Sequence, residues 1–458
     1  MPILLAAAPA QAGVRIVPGL DLERYADRAA IGLLVPGAGP EVTREGALSA
    51  LLRGELEHDF LGGVASGEPV IRLGQPGGPE ILLALPPPGR SENDRRYPIA
   101  VLGFPGVLTS SSTRIDGLVS ITDIATGRLR AMPSEDSLGT LERLEDRIER
   151  NDRLRLPLTI MLVALLLGLA LVRPRHAVRA LLVVLAANLW LDPWLALLAG
   201  AAALLLPLGL ASGAVLGSYL VSLGLDAETV ALSPFGPSQS GRFYGINNLL
   251  ETMLLVPALV GAALLGRLGI LVAAISVVAV GGNRFGADGG GLVVLAVAYL
   301  VLALRLRGVR PTPRVVAAVC AGAVALALAV VALDALTGGE SHVTRALGDG
   351  PAALTGDLAD RLELSVRRTA ASPGAALVVV AGLAFLAWIA VRGPRRPLPD
   401  ALLAGLAVSL LVNDTPADVL AVGAAAAFAL VRAEPPAYAR PTTTKGSTTH
   451  EHTTPAGI

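Results

Sequence analysis

SLGTLERLEDRIERNDRLRL (Ser137–Leu156) runs without interruption into PLTIMLVALLLGLALV (Pro157–Val172), and the boundary between the two decides the fold. The first part places Leu138, Leu141, Leu144 and Ile148 at three- and four-residue spacings, with Glu149 and Arg153 paired one helical turn apart. That pattern predicts a helical stalk whose charges form a solvated face. The second part carries no charge at all, which predicts that the stalk enters a lipid bilayer as the first of several spans.

Working outward, apolar runs recur at 177–191, 193–209, 212–225, 249–266, 268–281, 291–304, 315–333, 374–391, 400–412 and 417–431. With 157–172 they make about eleven spans. Several fall short of the ~20 residues a perpendicular helix needs, so tilted, extended or re-entrant segments are expected among them. The division of 177–225 into three is the most open part of this count. Arg173, Arg175 and Arg179 follow the first run, and Arg305, Arg307, Arg310 and Arg314 follow the seventh. Arg392, Arg395 and Arg396 follow the ninth, while Arg432, Arg440 and Lys445 follow the last. An odd number of spans puts all four clusters on the cytoplasmic side, with the C-terminus inside and the N-terminal head outside the cell membrane. Arg367 and Arg368 are the main exceptions.

Composition agrees. Of 458 residues, 53% are hydrophobic, 16% charged and 3% aromatic, and the mean hydropathy is +0.62. A soluble chain carries about a quarter charged residues, so a single soluble domain and a disordered protein are both excluded. Thirty-seven basic residues balance 37 acidic ones, which excludes a nucleic-acid binder. One lysine against many arginines, with abundant Ala, Gly and Pro, fits a GC-rich bacterial genome. The sole cysteine, Cys320, lies in an apolar run, so no intrachain disulfide and no cysteine-based metal site exists. No metal or cofactor is assigned. The chain divides into a start at 1–12, a head at 13–135, the stalk at 136–156, a membrane domain at 157–431 and a polar, Thr-rich, disordered tail at 432–458. Residues 1–12 read either as the end of a signal peptide, with Ala10-Gln11-Ala12 as its cleavage-like site, or as part of a domain whose beginning is missing.

Within the head, Val14–Val17, Ile31–Val35, Val70–Leu73, Ile81–Leu85, Ile99–Leu102 and Leu118–Ile121 read as strands, and Leu20–Ala29 and Val42–Arg53 as helices. The alternation predicts a small α/β domain. The fold class is therefore mainly α: a polytopic helical membrane bundle carrying a small N-terminal α/β extracytoplasmic domain.

The segments AIGLLVPGAGP (30–40), REGALSALLRGE (44–55), RRYPIAVLGFPGVLTSSSTRIDGLVSITDIATG (95–127), GRFYGINN (241–248) and NDTPAD (413–418) resemble a family of bacterial multi-pass membrane proteins. In that family a head resembling the alkaline-phosphatase superfamily is fused to a long membrane domain. The resemblance implies architecture more than activity. A phosphatase of that kind needs a metal-bound nucleophile and Asp/His ligands along a longer domain. Here little precedes Gly13, and His58 is the only histidine before the membrane. His58-Asp59 reads as a remnant ligand pair or an exposed loop, and Ser110–Arg114 as a turn. The head is expected to be catalytically incomplete.

Polar residues gather in the connections assigned to the outer side. These carry Arg242, Tyr244, Asn247 and Asn248; then Asn283, Arg284 and Asp288 before Gly289–Gly291; then Ser341 and His342; then Asn413, Asp414, Thr415 and Asp418. Helix capping explains part of the pattern: Asn248 with Glu251 resembles a capping box, Thr415, Pro416 and Asp418 fit a helix start, and Asp288 and Ser372-Pro373 fit two more. Caps do not call for Arg242, Tyr244, Asn283, Arg284 and His342 beside them. Helices starting at one face aim their positive ends there and, with two arginines, predict a site for phosphate or carboxylate. The ligand-binding candidates are Arg242, Tyr244, Asn247, Asn248, Asn283, Arg284, His342, Asn413 and Asp418. Glu251, Asp288 and Asp414 are the candidate general bases, although no fixed-spacing motif specifies a reaction. After His342, Leu354, Leu358, Leu362 and Val366 recur every four residues, predicting an amphipathic helix on the outer leaflet or a lid over the spans.

Three functions fit. The first is binding of an anionic or lipid-linked envelope precursor at the outward site, with or without chemistry on it. The second is transport of a small anionic solute, for which RFYGINN and NRFGADGGG hint at a repeat. The third is an anchor or scaffold for an envelope complex. No Walker-type phosphate loop is present, so ATP-driven work in this chain is not expected.

Overall fold

The computed structural model describes residues 13–39, 41–54, 80–240, 242–282, 284–309, 312–336, 362–370 and 372–433. Its N-terminal part is a seven-stranded mixed sheet. The strands are β1 (Gly13–Ile16), β2 (Ala29–Val35), β4 (Glu80–Leu83), β6 (Tyr97–Leu102), β7 (Gly106–Ser110), β8 (Leu118–Ser120) and β9 (Leu129–Met132). Their order is β1-β4-β6-β2-β7-β9, with β8 also pairing β2. The β1–β4, β2–β7 and β2–β8 pairs are parallel, and β4–β6, β2–β6 and β7–β9 antiparallel. A separate ribbon joins β3 (Glu41–Thr43) to β5 (Arg90–Glu92).

β2, AAIGLLV, is buried at every position, as a central strand covered on both faces must be. One face is covered by α1 (Arg44–Arg53) and α2 (Ile121–Ala125) through Ala47, Ala50, Leu51, Ile121 and Ile124. The other is covered by the long helix α3 (Ser137–Val172) through Leu141, Leu144 and Ile148. The stalk is thus no free rod: its leucine stripe is the second layer of the head. Gly117, at φ +94°, allows this close approach, since a Cβ there would lie 2.8 Å from Leu141.

One expected element of the head does not form. Residues 20–28 are a chain of turns rather than a helix. Gly19 sits at φ +64°, and the Asp21 carboxylate accepts from Glu23 N and pairs with Arg24. That local bonding competes with a helical ladder. The second expected helix starts two residues late, because Thr43 ends β3 and then caps α1 by accepting from Gly46 N. The proposed strand 70–73, the pair His58-Asp59 and the segment 1–12 lie outside the described residues.

Every apolar run beyond the stalk is helical. They form the end of α3, then α4 (Pro174–Ala187), α5 (Pro193–Leu205) and α6 (Leu208–Leu225). A short α7 (Ala227–Ala231) leads to α8 (Asn248–Leu264), α9 (Gly269–Gly281), α10 (Gly289–Leu306) and α11 (Pro313–Leu336). After the helical stretch 362–370 come α12 (Pro373–Arg392), α13 (Pro397–Val412) and α14 (Pro416–Arg432). The expected count of about eleven spans is not reached by length. Among the described residues four helices are long and apolar enough to cross a membrane: Ser137–Val172, Leu208–Leu225, Gly289–Leu306 and Pro373–Arg392. Among the shorter ones, α5 runs only from Pro193 to Leu205, with Pro207 just beyond its end.

α8 is buried from Leu249 to Gly261 and forms the axis of the bundle. Large apolar side chains such as Ile160, Met161, Trp194, Leu205, Ile270, Leu377 and Trp388 stand exposed around the periphery, the distribution expected of a surface that faces hydrocarbon.

Candidate functional site

The bundle has two chemically different ends. At one end arginines close the helices. Arg305 Nε lies 2.7 Å from the Asp400 carboxylate, which Arg395 also approaches at 3.7 Å. Arg396 donates to Ala433 O at 3.1 Å, and Arg179 donates to the carbonyls of Ala203, Leu204 and Leu206. α10 and α13 run antiparallel, since Arg305 meets Asp400 at this end while Gly290 meets Asn413 at the other.

At that other end three polar connections come together. Gly286 O accepts from Ile246 N at 2.9 Å and from Arg242 Nη2 at 3.1 Å. Gly245, at φ +85°, lies so close to Gly286 that a Cβ would collide with its carbonyl. RFYGINN and RFGADGGG are therefore fitted to one another by a glycine. NDTPAD joins them through Asn248, whose Nδ2 donates to Asp414 Oδ1 at 3.0 Å and Thr415 Oγ1 at 2.9 Å. Asn413 Nδ2 donates to Glu251 Oε2 at 2.6 Å and to Ser409 Oγ at 2.8 Å. Its amide oxygen rests against Gly290, where a Cβ would stand 2.8 Å away.

Several candidates are occupied structurally. Arg242 also donates to Ala287 O at 3.2 Å, so its guanidinium ties down the turn before α10. Asn247, not Asn248, caps α8 by accepting from Leu250 N at 2.9 Å, and it also donates to Gly236 O. Glu251 is correspondingly no part of a capping box: its Oε2 faces Asn413 instead. Asp288 caps α10 through Gly291 N at 3.0 Å, and Ser372 caps α12. Thr415 stands at the N-cap of α14, where its side chain makes no capping bond, with Pro416 following. Tyr244 lies under the Arg114 guanidinium, 3.8 Å from its ring centroid. Arg284 is exposed and its carbonyl accepts from Arg114 at 2.9 Å. Asp418 is within electrostatic reach of Arg155, Arg368 and Asp414. Asn283 and His342 lie outside the described residues, as do Leu354 and Leu358.

Three partners were not anticipated from the sequence. Arg368 forms a 2.6 Å ion pair with Asp414, and Ser365 Oγ donates to Asn413 O at 3.2 Å. The stretch 362–370 thereby sits over NDTPAD, with Leu362 and Val366 turned outward. The exceptional arginine belongs to the polar end for this reason. The second partner is the head: Arg114 clamps Tyr244 and Arg284 O, Asn93 Nδ2 donates to Ser240 O at 2.9 Å, and Glu228 Oε1 accepts from Asp116 N at 2.8 Å. Burial pushes the Glu228 carboxyl up, against the pull of that N–H. The third is Arg155, at the membrane end of the stalk, which donates to the carbonyls of Pro234, Gly236 and Pro237. Long-range pairs of this kind leave no spacing signal.

Glu251 and Asp288 are both buried, at 2% and 5% exposure, and lie within electrostatic reach of each other and of Arg242. Each keeps one oxygen, Oε1 and Oδ2, without a hydrogen-bond partner among the described residues. In the head, Ser110–Arg114 is the expected turn, with Arg114 at φ +55°. Behind it the Ser110 and Ser112 hydroxyls face Asp123, whose burial raises its carboxyl above the usual range. Among the described residues no three His, Cys, Asp or Glu side chains gather as a metal site would require. No protein family, curated protein or solved structure matches this chain.

Proposed function

We propose that this chain is a multi-pass protein of the bacterial cell membrane that binds an anionic, lipid-linked envelope precursor at the polar end of its helical bundle. One observation carries the reading: RFYGINN, RFGADGGG and NDTPAD, far apart in sequence, meet at the end opposite the arginine-closed one. Arg284 stands exposed at that end, with Arg114 half-buried beside it, and α8, α10 and α14 start there, so their dipoles add positive potential. The arginine-closed end is cytoplasmic by the positive-inside rule, which sets the head and the polar mouth outside. The eleven helical runs cross or partly enter the bilayer. The head, akin to the alkaline-phosphatase superfamily in our reading, is an accessory module that frames the mouth.

The test is ligand protection. Arg284→Ala and Arg114→Ala are expected to abolish the stabilisation that undecaprenyl phosphate gives the purified protein, while Arg392→Ala leaves it intact. Equal stabilisation of all three variants sinks the proposal. Cysteines placed at Ser240 and Thr415 in a Cys320→Ala background are expected to react with an impermeant maleimide from outside, and one at Arg392 only after permeabilisation. Labelling of Ser240 and Thr415 from opposite sides removes the shared mouth. Transport of a small anionic solute is the second reading, and the buried Glu251–Asp288 pair favours it, because coupled transporters place ionisable groups at such depth.

A further inference from the structure

We infer that Glu251 and Asp288, with the amide oxygen of Asn413, form a binding site for one small monovalent cation of the sodium class, and this inference stands whether or not the mouth above it takes an anion. The argument begins with unspent oxygens. Asn413 donates its amide to Glu251 Oε2, and Gly291 N donates to Asp288 Oδ1. Glu251 Oε1 and Asp288 Oδ2 are left buried and unpartnered. A buried carboxylate oxygen without a donor is costly, and two such oxygens from neighbouring acids compound the cost unless something positive lies between them.

Arg242 is the cation facing the pair, but its Nη2 is held by Gly286 O and Ala287 O, out in the turn. Among the described residues one guanidinium therefore stands against two carboxylates, and a single added positive charge balances the group. Asn413 contributes because its Nδ2 points to Glu251, which turns its Oδ1 toward Gly290 beside Asp288. The donor set is all oxygen, as hard cations require. Two carboxylates and an amide in a confined space suit a monovalent ion better than a divalent one, which takes six or more oxygen ligands. Two glycines leave room: a Cβ at Gly290 would stand 2.8 Å from Asn413 Oδ1, and one at Gly291 would stand 2.9 Å from Asp288 Oδ2.

The experiment uses the full chain in detergent, with choline chloride replaced by NaCl or KCl at constant ionic strength. The wild type is expected to gain a saturable rise in melting temperature with sodium that choline does not give. Glu251→Gln and Asp288→Asn are expected to lose that rise, and Gly290→Ala to shift its midpoint at least tenfold toward higher sodium. Glu149→Gln, on the exposed stalk, is the control. A wild type that responds equally to all three salts overturns the inference, as do acid variants that retain the full sodium response. Where the acid variants fail to fold, equilibrium binding of radioactive sodium to the wild type decides: one saturable site per chain supports the inference, and none refutes it. Stabilisation by acid alone, with no sodium binding, assigns the balancing charge to a proton and also refutes it.

Discussion

Replacing Asn413 by alanine removes the only donor that the Glu251 carboxylate has among the described residues. The amide is 3% exposed and donates at 2.6 Å to Glu251 Oε2 and at 2.8 Å to Ser409 Oγ. A hydrogen bond to a charged group contributes roughly 1.5–3 kcal/mol and one to a neutral hydroxyl about 1 kcal/mol. Asn413→Ala keeps the backbone bonds to Ser409 O and from Ser365 Oγ, so those contributions survive. The expected loss is about 3 kcal/mol, or roughly a 100-fold rise in the opening constant of the α13–α14 junction. Amide hydrogen exchange over residues 409–420 is the appropriate assay, because a chain with a head and a bundle need not unfold in one step. The decisive arm is a double-mutant cycle. In a Glu251→Leu background the amide has lost its charged acceptor, and Asn413→Ala then costs about 1 kcal/mol, leaving a coupling of about 2 kcal/mol. Coupling below about 0.5 kcal/mol would refute the claim that Asn413 exists to hold Glu251.

Three further outcomes are expected. Arg368→Ala breaks a pair whose side chains are 27% and 14% exposed; it is expected to cost about 1 kcal/mol and to raise deuterium uptake at 362–370 and 413–415 together, whereas uptake confined to 362–370 refutes the clamp. Arg114→Ala removes a cation–π contact worth about 0.5–1 kcal/mol, and limited proteolysis is expected to cut the 226–247 connection faster while β2 stays protected. Asp123 holds its proton to a higher pH in the folded head than in the unfolded chain, so head stability is expected to fall as pH rises from the unfolded value near 3.8 toward the raised folded one. Asp123→Asn is expected to flatten that decline in a pH series of melting curves, and an unchanged slope sinks the assignment.

The helical nature of each apolar run was readable because a lipid-facing helix is written in composition, and composition survives any error of register. Helix starts announced by a cap, as at Asp288 and Ser372, were readable; helix length was not, because the far ends carry no such mark. Asp288, Pro193 and Ser372 start helices through one side chain each. Head strands buried on both faces, such as β2, carried a continuous apolar signal. β7 and β9 did not, since GVLTS ends in hydroxyl residues and LRAM alternates with an exposed arginine. The stalk was legible as a helix but not as a layer of the head, for a leucine stripe states that something covers it without naming what.

The polar end shows the same limit in sharper form. Three of the four polar connections that stand out in the sequence meet at one end of the bundle, and the fourth, Ser341-His342, lies outside the described residues. Sequence reading assigned Arg242 to an anion, and the geometry assigns it to the carbonyls of Gly286 and Ala287. The cause is local: Ala287 at φ +52° and the collision that excludes any Cβ at Gly245 force a turn whose carbonyls point inward and need a donor. An arginine supplies several N–H groups at once, so it is the natural answer to such a turn. Arg242 thus neutralises part of the Glu251–Asp288 charge without a hydrogen bond to either acid among the described residues, and both acids are buried. If this end takes an anion as proposed, the exposed Arg284 is reached before the buried acidic pair. On the transport reading, a ligand that passes the arginines must carry or be accompanied by positive charge. That ordering separates a surface receptor, which stops at the arginines, from a coupled carrier, which does not: in the carrier Glu251→Gln abolishes uptake and leaves anion binding intact, and in the receptor it changes neither.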